Sequence, residues 1–327
     1  MTDYKCLSKT ECKEILESID SPLIVMHANP DADTVGCAAA LADIYSMLGK
    51  KASYACTDRI PDRLTFLLEG VGRAENFEGK TPIAIDIASP KTLGSYEEIF
   101  TKKYPPALMI DHHELGVEFA DYYKVKGASS AGEVLFGIVE LLVSEGKITL
   151  TKELASHLFA AISSDTGAFR FSNATPETYR VAARLIEAGV DHAAISHRLY
   201  FSKSEAQIRA EGAVARRIKT AYDGKVAYAA ISIKDMTDEG LEFPDFETGI
   251  EIVRSIIGAE IAFIVKERAE GVYKISLRSL GADVSMVAGQ FGGGGHLRAA
   301  ACTIEADSAS CAAEKILTEI GKEILWK

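Results

Sequence analysis

Short apolar segments alternate with amphipathic helical segments along the first half of the chain. Four of the apolar segments lack the alternation of a half-exposed strand, which is typical of strands that are covered on both faces of a parallel sheet. They are residues 21–29, 51–56, 81–89 and 105–113. A helix after the first of them is predicted to end at Gly49. The pattern therefore predicts an α/β fold built on a parallel sheet.

A change of pattern near residue 190 divides the chain. Helical segments close the first half, and the last of them, residues 175–189, begins with a threonine cap and a proline. Residues 191–220 are helical and more polar, and beyond them strands and helices mix again. We predict a parallel-sheet domain over residues 1–190, a helical linker over 191–220 and a smaller α/β domain over 221–327.

Composition indicates the cellular compartment in which the protein is expected. Of the 327 residues, 47% are hydrophobic and 25% are charged, as in a soluble globular protein. No apolar run reaches the roughly 18 residues of a membrane helix, and the charged N-terminus lacks the apolar core of a signal peptide. We therefore expect a cytoplasmic protein that has no membrane partner.

Charge and cysteine spacing disfavour two classes of function. With a net charge of −11, the surface is a poor partner for long duplex nucleic acid, whose affinity comes largely from Lys and Arg on phosphates. The six cysteines form no CxxC pair, so we expect reduced thiols and no structural zinc site.

Acidic and histidine side chains follow the predicted strands. In open α/β sheets, ligands bind at the carboxyl ends of the strands. The residues expected at that edge are His27, Asp31, Asp33, Asp86, Asp111, His112 and His113, with Asp165 at the end of a helix. Four of the carboxylates, those of Asp31, Asp33, Asp86 and Asp165, would repel one another in one cleft unless they protonate or bind cations. Two divalent ions would balance the charge, and Mn²⁺, Mg²⁺ or Fe²⁺ suits such ligands.

Taken singly, four of these residues have an ordinary explanation. Asp31 and Asp86 are also typical helix caps, His27 suits a satisfied core position, and Asp165 suits a turn with the Thr and Gly after it. The joint occurrence of HxxxDxD, a strand-end Asp, DHH and SSDTG in one chain favours a shared metal site over these separate explanations.

These segments resemble a known family. HANPDADTVG, AIDIAS, IDHH and ISSDTGAFRFSNAT resemble, in order, the four motifs of the DHH phosphoesterases. KISLRSLGADVSMVAGQFGGGGHLRAAAC resembles their closing domain, DHHA1. The resemblance extends from about residue 20 to 305 and is strongest to the bacterial branch of nano-RNases (oligoribonucleases) that are also pAp phosphatases. It implies a catalytic first domain, a substrate-binding second domain and an active site in the cleft between them.

The resemblance also implies two metal ions, with Mn²⁺ as the expected metal. His27 and Asp31 would hold one ion, and Asp86 would bridge both. The implied ligands of the second ion are Asp33, His112 and Asp165. A hydroxide held by both metals would attack phosphorus in line. His113 would face the scissile phosphate, and Asp111 would accept a hydrogen bond behind the histidines.

A glycine tract marks the second domain. Such tracts are often flexible turns, but they also let backbone amides converge on an anion. The residues that the resemblance assigns to substrate binding are Gly293, Gly294, Gly295 and His296, together with Arg278 and Ser279. The stretch 197–200, by contrast, is better explained as an amphipathic helix face. The chain departs from the family pattern at Cys37, Gly116 and Ala301, which bears on substrate preference rather than on the metal site.

The expected function is hydrolysis of short oligonucleotides, of 3′-phosphoadenosine 5′-phosphate (pAp), or of both. One alternative is a phosphodiesterase for pApA or cyclic di-AMP, and another is an inorganic pyrophosphatase, which the GGGGH segment disfavours. An alternative of another class is a catalytically silent nucleotide sensor, which the intact ligand set disfavours. A homodimer is expected from the family alone.

Overall fold

The computed structural model describes residues 4–114 and 116–323, without the side chains of His296 and Glu323. The chain divides into two compact units between Ser202 and Lys203. The residues that the sequence assigned to a linker are therefore shared between the units.

The first unit is built on a six-stranded sheet in which every pairing is parallel. The strands are β1 (Pro22–Val25), β2 (Ser53–Ala55), β3 (Gly72–Arg73), β4 (Thr81–Ile85), β5 (Leu108–Asp111) and β6 (Tyr122–Lys124). Their order is β3-β2-β1-β4-β5-β6. Because the chain moves outward in both directions from the β1–β4 pair, a crevice forms outside the carboxyl ends of these two strands.

Helices cover the sheet. They are α1 (Lys9–Ser18), α2 (Ala32–Met47), α3 (Ala131–Ser144), α4 (Lys152–Asp165), α5 (Pro176–Glu187) and α6 (His192–Ser196). Short 3₁₀ segments are Asp62–Leu68 and Pro90–Tyr96, and short π segments are Ile99–Lys103 and His197–Phe201. The predicted threonine cap and first-turn proline of α5 are confirmed. No helix in the described part of the chain is long and apolar enough to span a membrane.

Both faces of the parallel sheet are buried, as its unbroken apolar runs predict. Ile24 packs into a core on one face, while Leu23 and Val25 pack into a separate core on the other. Behind the sheet, α2 is buried along most of its length, and its small residues allow close contact with α4. A Cβ at Gly36 would lie only 2.7 Å from the backbone oxygen of His157 in α4.

The second unit is a six-stranded mixed sheet with helices on both faces. Its strands are β7 (Lys219–Ala221), β8 (Val226–Ile231), β9 (Ile261–Ala269), β10 (Val272–Ser279), β11 (Gly294–His296) and β12 (Ala299–Glu305). Its helices are α7 (Glu205–Arg216), α8 (Ile233–Asp238), α9 (Gly249–Arg254), α10 (Val284–Gly289) and α11 (Ala309–Glu323), with a 3₁₀ segment at Phe243–Phe246. The pair β8–β9 is parallel and the other pairs are antiparallel.

The glycine tract differs from the expected loop. Gly294 and Gly295 belong to β11, which pairs with β12 in a tight hairpin. At Gly293, a Cβ would clash with the backbone oxygen of Ala301 and lie 2.5 Å from Cys302 Cβ. Gly295 has a φ of 145°, a conformation that side chains disfavour. Close backbone approach therefore accounts for Gly293 and Gly295 without any ligand, whereas a Cβ at Gly294 would meet no atom of the described residues within 4 Å.

The α2–α4 contact yields a stability prediction with a matched control. Gly36→Ala should destabilise the first unit by roughly 1–3 kcal/mol, because the added methyl group overpacks a backbone contact. Gly137 lies within α3, where an added Cβ would meet only the flexible end of Lys9 at 3.5 Å. Gly137→Ala should therefore stabilise by about 0.5–1 kcal/mol. Urea unfolding followed by circular dichroism measures both. Equal effects of the two substitutions would contradict the close α2–α4 contact.

Candidate active site

The carboxyl end of β1 leads directly into α2. Asp31 caps this helix, since its side chain accepts hydrogen bonds from the amides of Asp33 and Thr34. His27 Nδ1 lies 2.7 Å from the backbone oxygen of Ala28, which places the ring proton on Nδ1. His27 Nε2 then lies 3.8 Å from Asp31 Oδ1. Asp31 is thus a cap and also faces the imidazole of His27.

Asp33 occupies the first turn of α2 and is fully buried. Its Oδ2 accepts from the amide of Ala131 at 2.8 Å, and its Oδ1 accepts from the amide of Gly132 at 3.0 Å. Both donors belong to the first turn of α3, where unpaired amides and the helix dipole favour an anion. The thiol of Cys37 lies 3.4 Å from Asp33 Oδ1 and donates to it. The protein thus stabilises this carboxylate with backbone groups almost 100 residues away in the sequence.

Asp86 follows β4 and lies at the centre of the crevice. Its backbone is left-handed, with a φ of 56°, and its amide donates to the backbone oxygen of Ile110 at the end of β5. Asp86 Oδ2 lies 3.6 Å from His27 Nε2, and Asp86 Oδ1 lies 3.6 Å from His112 Nε2. One carboxylate therefore faces histidines from two strands. A strained backbone in such a position is typical of functional sites.

β5 ends at Asp111, so the strict alternation of strand side chains does not extend to the two histidines after it. The rings of His112 and His113 lie with their centroids 4.6 Å apart, and both lie beside Asp86. Asp111 is fully buried and accepts from His113 Nδ1 at 2.7 Å. On the other side of Asp111, Lys124 Nζ lies 3.1 Å from its Oδ2.

Asp165 enters the crevice from the last residue of α4. Its Oδ2 lies 3.2 Å from His112 Nε2. Two polar side chains hold the backbone here: Asn173 donates to the backbone oxygen of Asp165, and the hydroxyl of Tyr200 donates to that of Ser163. Tyr200 comes from the π segment that precedes the second unit, a stretch that the sequence interpretation assigned to a helix face.

The seven side chains form three overlapping groups in which the ligand atoms lie within 4.8 Å of one another. The groups are His27–Asp31–Asp86, Asp33–His112–Asp165 and Asp86–His112–His113. Within the described residues of the site, the buried atoms Asp86 Oδ1 and His112 Nε2 have no hydrogen-bond partner, and Asp111 Oδ2 has only its ion pair with Lys124. Buried polar atoms normally have one. The described part of the site thus holds a carboxylate oxygen and an imidazole nitrogen that are buried without a hydrogen bond.

The crowding of charge displaces the pKa values of the group. Burial and the nearby charges of Asp86 and Asp165 raise the pKa of Asp33 well above its ordinary value. Burial also raises the pKa of Asp165 to about 6, although His112 opposes the shift. Burial lowers the pKa of His112, but the surrounding carboxylates, Asp165 first, outweigh this effect and raise it to about 10. Without cations, protons therefore neutralise part of the site.

A pair of divalent cations fits this arrangement. The donors are carboxylate oxygens and imidazole nitrogens, the set that Mn²⁺, Mg²⁺ and Fe²⁺ accept. A cation near His112 Nε2 and Asp86 Oδ1 would meet the two buried atoms that lack partners. His27 already donates Nδ1–H to a backbone carbonyl, an orientation usual for metal-ligating histidines. The assignment of particular ligands to particular ions stays a prediction.

The predicted substrate-binding residues belong to the second unit. Arg278 lies near the end of β10, and its Nη1 donates to the backbone oxygen of Leu277. Burial lowers the pKa of its guanidinium. The hydroxyl of Ser279 donates to the backbone oxygen of Ala282. The side chain of His296 lies outside the described part of the chain. The role of these residues in binding stays a prediction.

Three supporting residues escaped the sequence analysis. Lys124, Asn173 and Tyr200 bond to the ends of β5 and α4. Lys124 and Tyr200 belong to none of the quoted family motifs, and Asn173 lies in the fourth motif but was assigned no role. Asn173, in the SNAT segment beside the SSDTG motif, carried the clearest signal. Lys124 would have required knowledge that β6 pairs with β5.

Comparison with known families agrees with this geometry. The N-terminal domain of the DHH family matches residues 22–162, and the DHHA1 domain matches residues 223–323. A bifunctional oligoribonuclease and PAP phosphatase NrnA from Thermus thermophilus is 30% identical over 319 residues, which cover 95% of this chain and 93% of that protein. A cyclic-di-AMP phosphodiesterase GdpP from Bacillus subtilis is 26% identical over 93% of this chain and 48% of that protein.

Among solved structures, an exopolyphosphatase-related protein from Bacteroides fragilis superposes with a TM-score of 0.87. It is 23% identical, and the match covers 96% of this chain and 95% of that one, which supports the fold.

The chain belongs to the DHH family and carries a DHHA1 domain. It is accordingly a metal-dependent hydrolase that acts on phosphate esters. The family resemblance and the two-domain α/β architecture expected from the sequence are thereby confirmed.

The position of Asp86 between the groups predicts the effect of Asp86→Asn. Asparagine tolerates the left-handed backbone, so the fold should persist. Loss of a charge that faces both histidine groups should lower bound Mn²⁺ and reduce turnover by more than the roughly 10–100-fold cost of outer-shell changes. Metal analysis and hydrolysis of bis-p-nitrophenyl phosphate measure these effects. As a control, Asp43→Asn breaks the 2.7 Å pair between Asp43 and His157 and should leave both quantities intact. Normal turnover of Asp86→Asn at saturating Mn²⁺ would exclude the shared role.

The displaced pKa values predict proton release on metal binding. With its pKa near 10, His112 is protonated at pH 7.5 in the metal-free protein and must lose that proton to bind a cation. Mn²⁺ binding should therefore release about one proton or more, and apparent affinity should fall as pH falls. The fall should steepen below pH 6, where Asp165 also takes up a proton. Calorimetry in buffers of different ionisation enthalpy measures the release. Binding without proton exchange would contradict the assignment of His112.

Proposed function

We propose that this protein hydrolyses very short oligonucleotides and removes the 3′-phosphate of pAp, with two divalent cations, preferably Mn²⁺. The observation that carries the proposal is the pocket of four aspartates and three histidines at the β1–β4 crevice. Similarity to NrnA of Thermus thermophilus over nearly the whole chain supports the choice of substrate.

Two sets of side chains would hold the cations. His27 and Asp31 would bind one ion, and Asp86 would contribute to both. The ligands of the other ion would be Asp33, His112 and Asp165. A bound pair of divalent cations supplies an activated water and offsets the charge of the phosphate. The amides of α3 on Asp33 and the carbonyl of Ala28 on His27 orient these ligands before any cation arrives.

His113 would act on the phosphate rather than as a permanent metal ligand. Its Nδ1–H donates to Asp111, which fixes the ring and its tautomer. Burial opposes the charge of Asp111, but His113 and Lys124 outweigh burial and lower its pKa to about 2. A carboxylate that stays ionised beside His113 would stabilise positive charge on the ring as phosphate charge increases.

The second unit would bind the rest of the nucleotide. Arg278 and Ser279 would contact a terminal phosphate, with His296 and the backbone of Gly294 and Gly295. The amide of Gly293 already donates to the backbone oxygen of Ala288, so Gly293 would shape the tract rather than donate to the phosphate. This proposal retains the division into a catalytic domain over residues 1–190, a linker over 191–220 and a substrate-binding domain over 221–327. The half-buried position of Arg278 supports it, because a cation with limited access to water is an effective partner for an anion.

A second candidate substrate class is the dinucleotide pApA or cyclic di-AMP. Similarity to GdpP of Bacillus subtilis over 93% of this chain favours it. The same metal site would serve both reactions, so the choice depends on substrate recognition. A catalytically silent sensor would need a damaged site, and the complete set of seven side chains speaks against it.

A substrate panel tests the proposal. Purified protein with Mn²⁺ is incubated with pAp, pApA, an RNA 5-mer, cyclic di-AMP and pyrophosphate, and products are separated by chromatography. We expect AMP and phosphate from pAp and mononucleotides from the 5-mer, at rates above that for cyclic di-AMP. Asp86→Asn serves as the inactive control.

Each other outcome selects an alternative. Phosphate from pyrophosphate alone would overturn the nucleotide assignment. Turnover of cyclic di-AMP with no action on pAp or the 5-mer would select the second candidate. Tight nucleotide binding with no turnover, in protein that holds its metals, would select the sensor.

A further inference from the structure

Lys124 lies beside the candidate active site but belongs to none of the motifs. It is the last residue of β6 and pairs directly with Asp111 in the register of the sheet. Its side chain is only 16% exposed, although lysine is normally a surface residue. Its Nζ lies 3.1 Å from Asp111 Oδ2, 3.3 Å from the backbone oxygen of His113 and 3.0 Å from Glu118 Oε1. Three acceptors thus surround one ammonium group.

The contacts place Lys124 at the end of a chain of polar groups. Asp111 uses Oδ1 to accept from His113 Nδ1 and presents Oδ2 to Lys124. Because Lys124 also contacts the backbone oxygen of His113, it holds both the carboxylate and the backbone that carries the ring. Without the ammonium group, Asp111 could rotate and lose its bond to His113.

The loop that follows β5 passes close to the same ammonium group. A Cβ at Gly116 would lie 2.5 Å from the backbone oxygen of Ala88 and 3.5 Å from Lys124 Nζ. The absence of that Cβ lets Val117 donate to Ala88, two residues beyond Asp86. The loop after β5 therefore packs on the loop after β4. Lys124 lies between this packed loop and the backbone of His113.

We propose that Lys124 is a positioning residue for phosphate-ester hydrolysis. It holds Asp111 in the orientation that fixes the ring and the Nδ1–H tautomer of His113. This inference rests on the proposed role of His113 at the phosphate. Lys124 itself touches neither substrate nor metal.

Kinetics of Lys124→Met, Lys124→Arg and Lys13→Met test the proposal. Lys13 is a matched control, because its side chain is 7% exposed and its Nζ lies 2.7 Å from Glu145 in the same unit. Lys124→Met should lower kcat roughly 10–100-fold, with KM and bound Mn²⁺ unchanged. Lys124→Arg should recover most of kcat. Lys13→Met should lower the melting temperature as much as Lys124→Met does, but leave kcat unchanged. If Lys124→Met does not fold, Lys124→Gln replaces it.

A second readout needs no turnover. Nitrogen-15 labelling of the seven histidines reports ring tautomers by NMR in the metal-free protein, and the spectrum of His113→Gln assigns His113. We expect a protonated Nδ1 at His113 in the wild type and in Lys13→Met. In Lys124→Met, that signal should be lost or mixed with the other tautomer.

The two readouts separate the possible failures. An unchanged His113 signal in folded Lys124→Met, or a kcat equal to that of Lys13→Met, would overturn the role of Lys124. If the wild type hydrolyses none of the panel substrates, the proposed function fails, while the NMR comparison still decides whether Lys124 positions His113.

Discussion

Mutual repulsion among buried carboxylates is the constraint on which the first unit depends. Four aspartates and three histidines meet at one sheet edge, and Asp33 and Asp86 are almost completely buried there. Because these groups lie close together and largely out of water, each needs local compensation. Asp33 receives two amides of α3, Asp31 receives two amides of α2, and Asp111 faces Lys124. In the described part of the chain, Asp86 Oδ1 and His112 Nε2 lack a hydrogen-bond partner, and both atoms suit divalent cations.

The parallel sheet explains why the groups meet where they do. Strands β1 and β4 are neighbours, although residues 26–80 lie between them in the sequence, and the chain leaves them in opposite directions. Their carboxyl ends therefore open into a crevice that no crossover helix fills. Asp86 adopts a left-handed backbone to point into it. The strained backbone of Asp86 thus lies where the charged side chains are most concentrated, as is common at functional sites.

The three departures from the family pattern, Cys37, Gly116 and Ala301, have different structural surroundings. Cys37 is fully buried and donates its thiol to Asp33, so it supports a predicted ligand with a weaker donor than a serine hydroxyl. Gly116 is required by the contact of its backbone with Ala88. Ala301 pairs with Gly294 in the β11–β12 hairpin, and its backbone oxygen lies where a Cβ at Gly293 would clash. None of these residues lies among the candidate metal ligands.

The sequence by itself determined the central strands, most of the helices and the set of residues that converge. Unbroken apolar runs and cap residues are local signals that predict strands and helices. Because ligands bind at the carboxyl ends of parallel strands, the predicted strands also indicate where the site lies. Edge strands such as β3 and β6 escaped because two or three residues carry too little pattern. Only the tertiary structure decided that the amides of α3 support Asp33, that Tyr200 holds the end of α4, and that Lys124 lies against Asp111. Each of these contacts joins residues distant in the sequence, and no local periodicity records which distant partner a polar side chain meets when the chain folds.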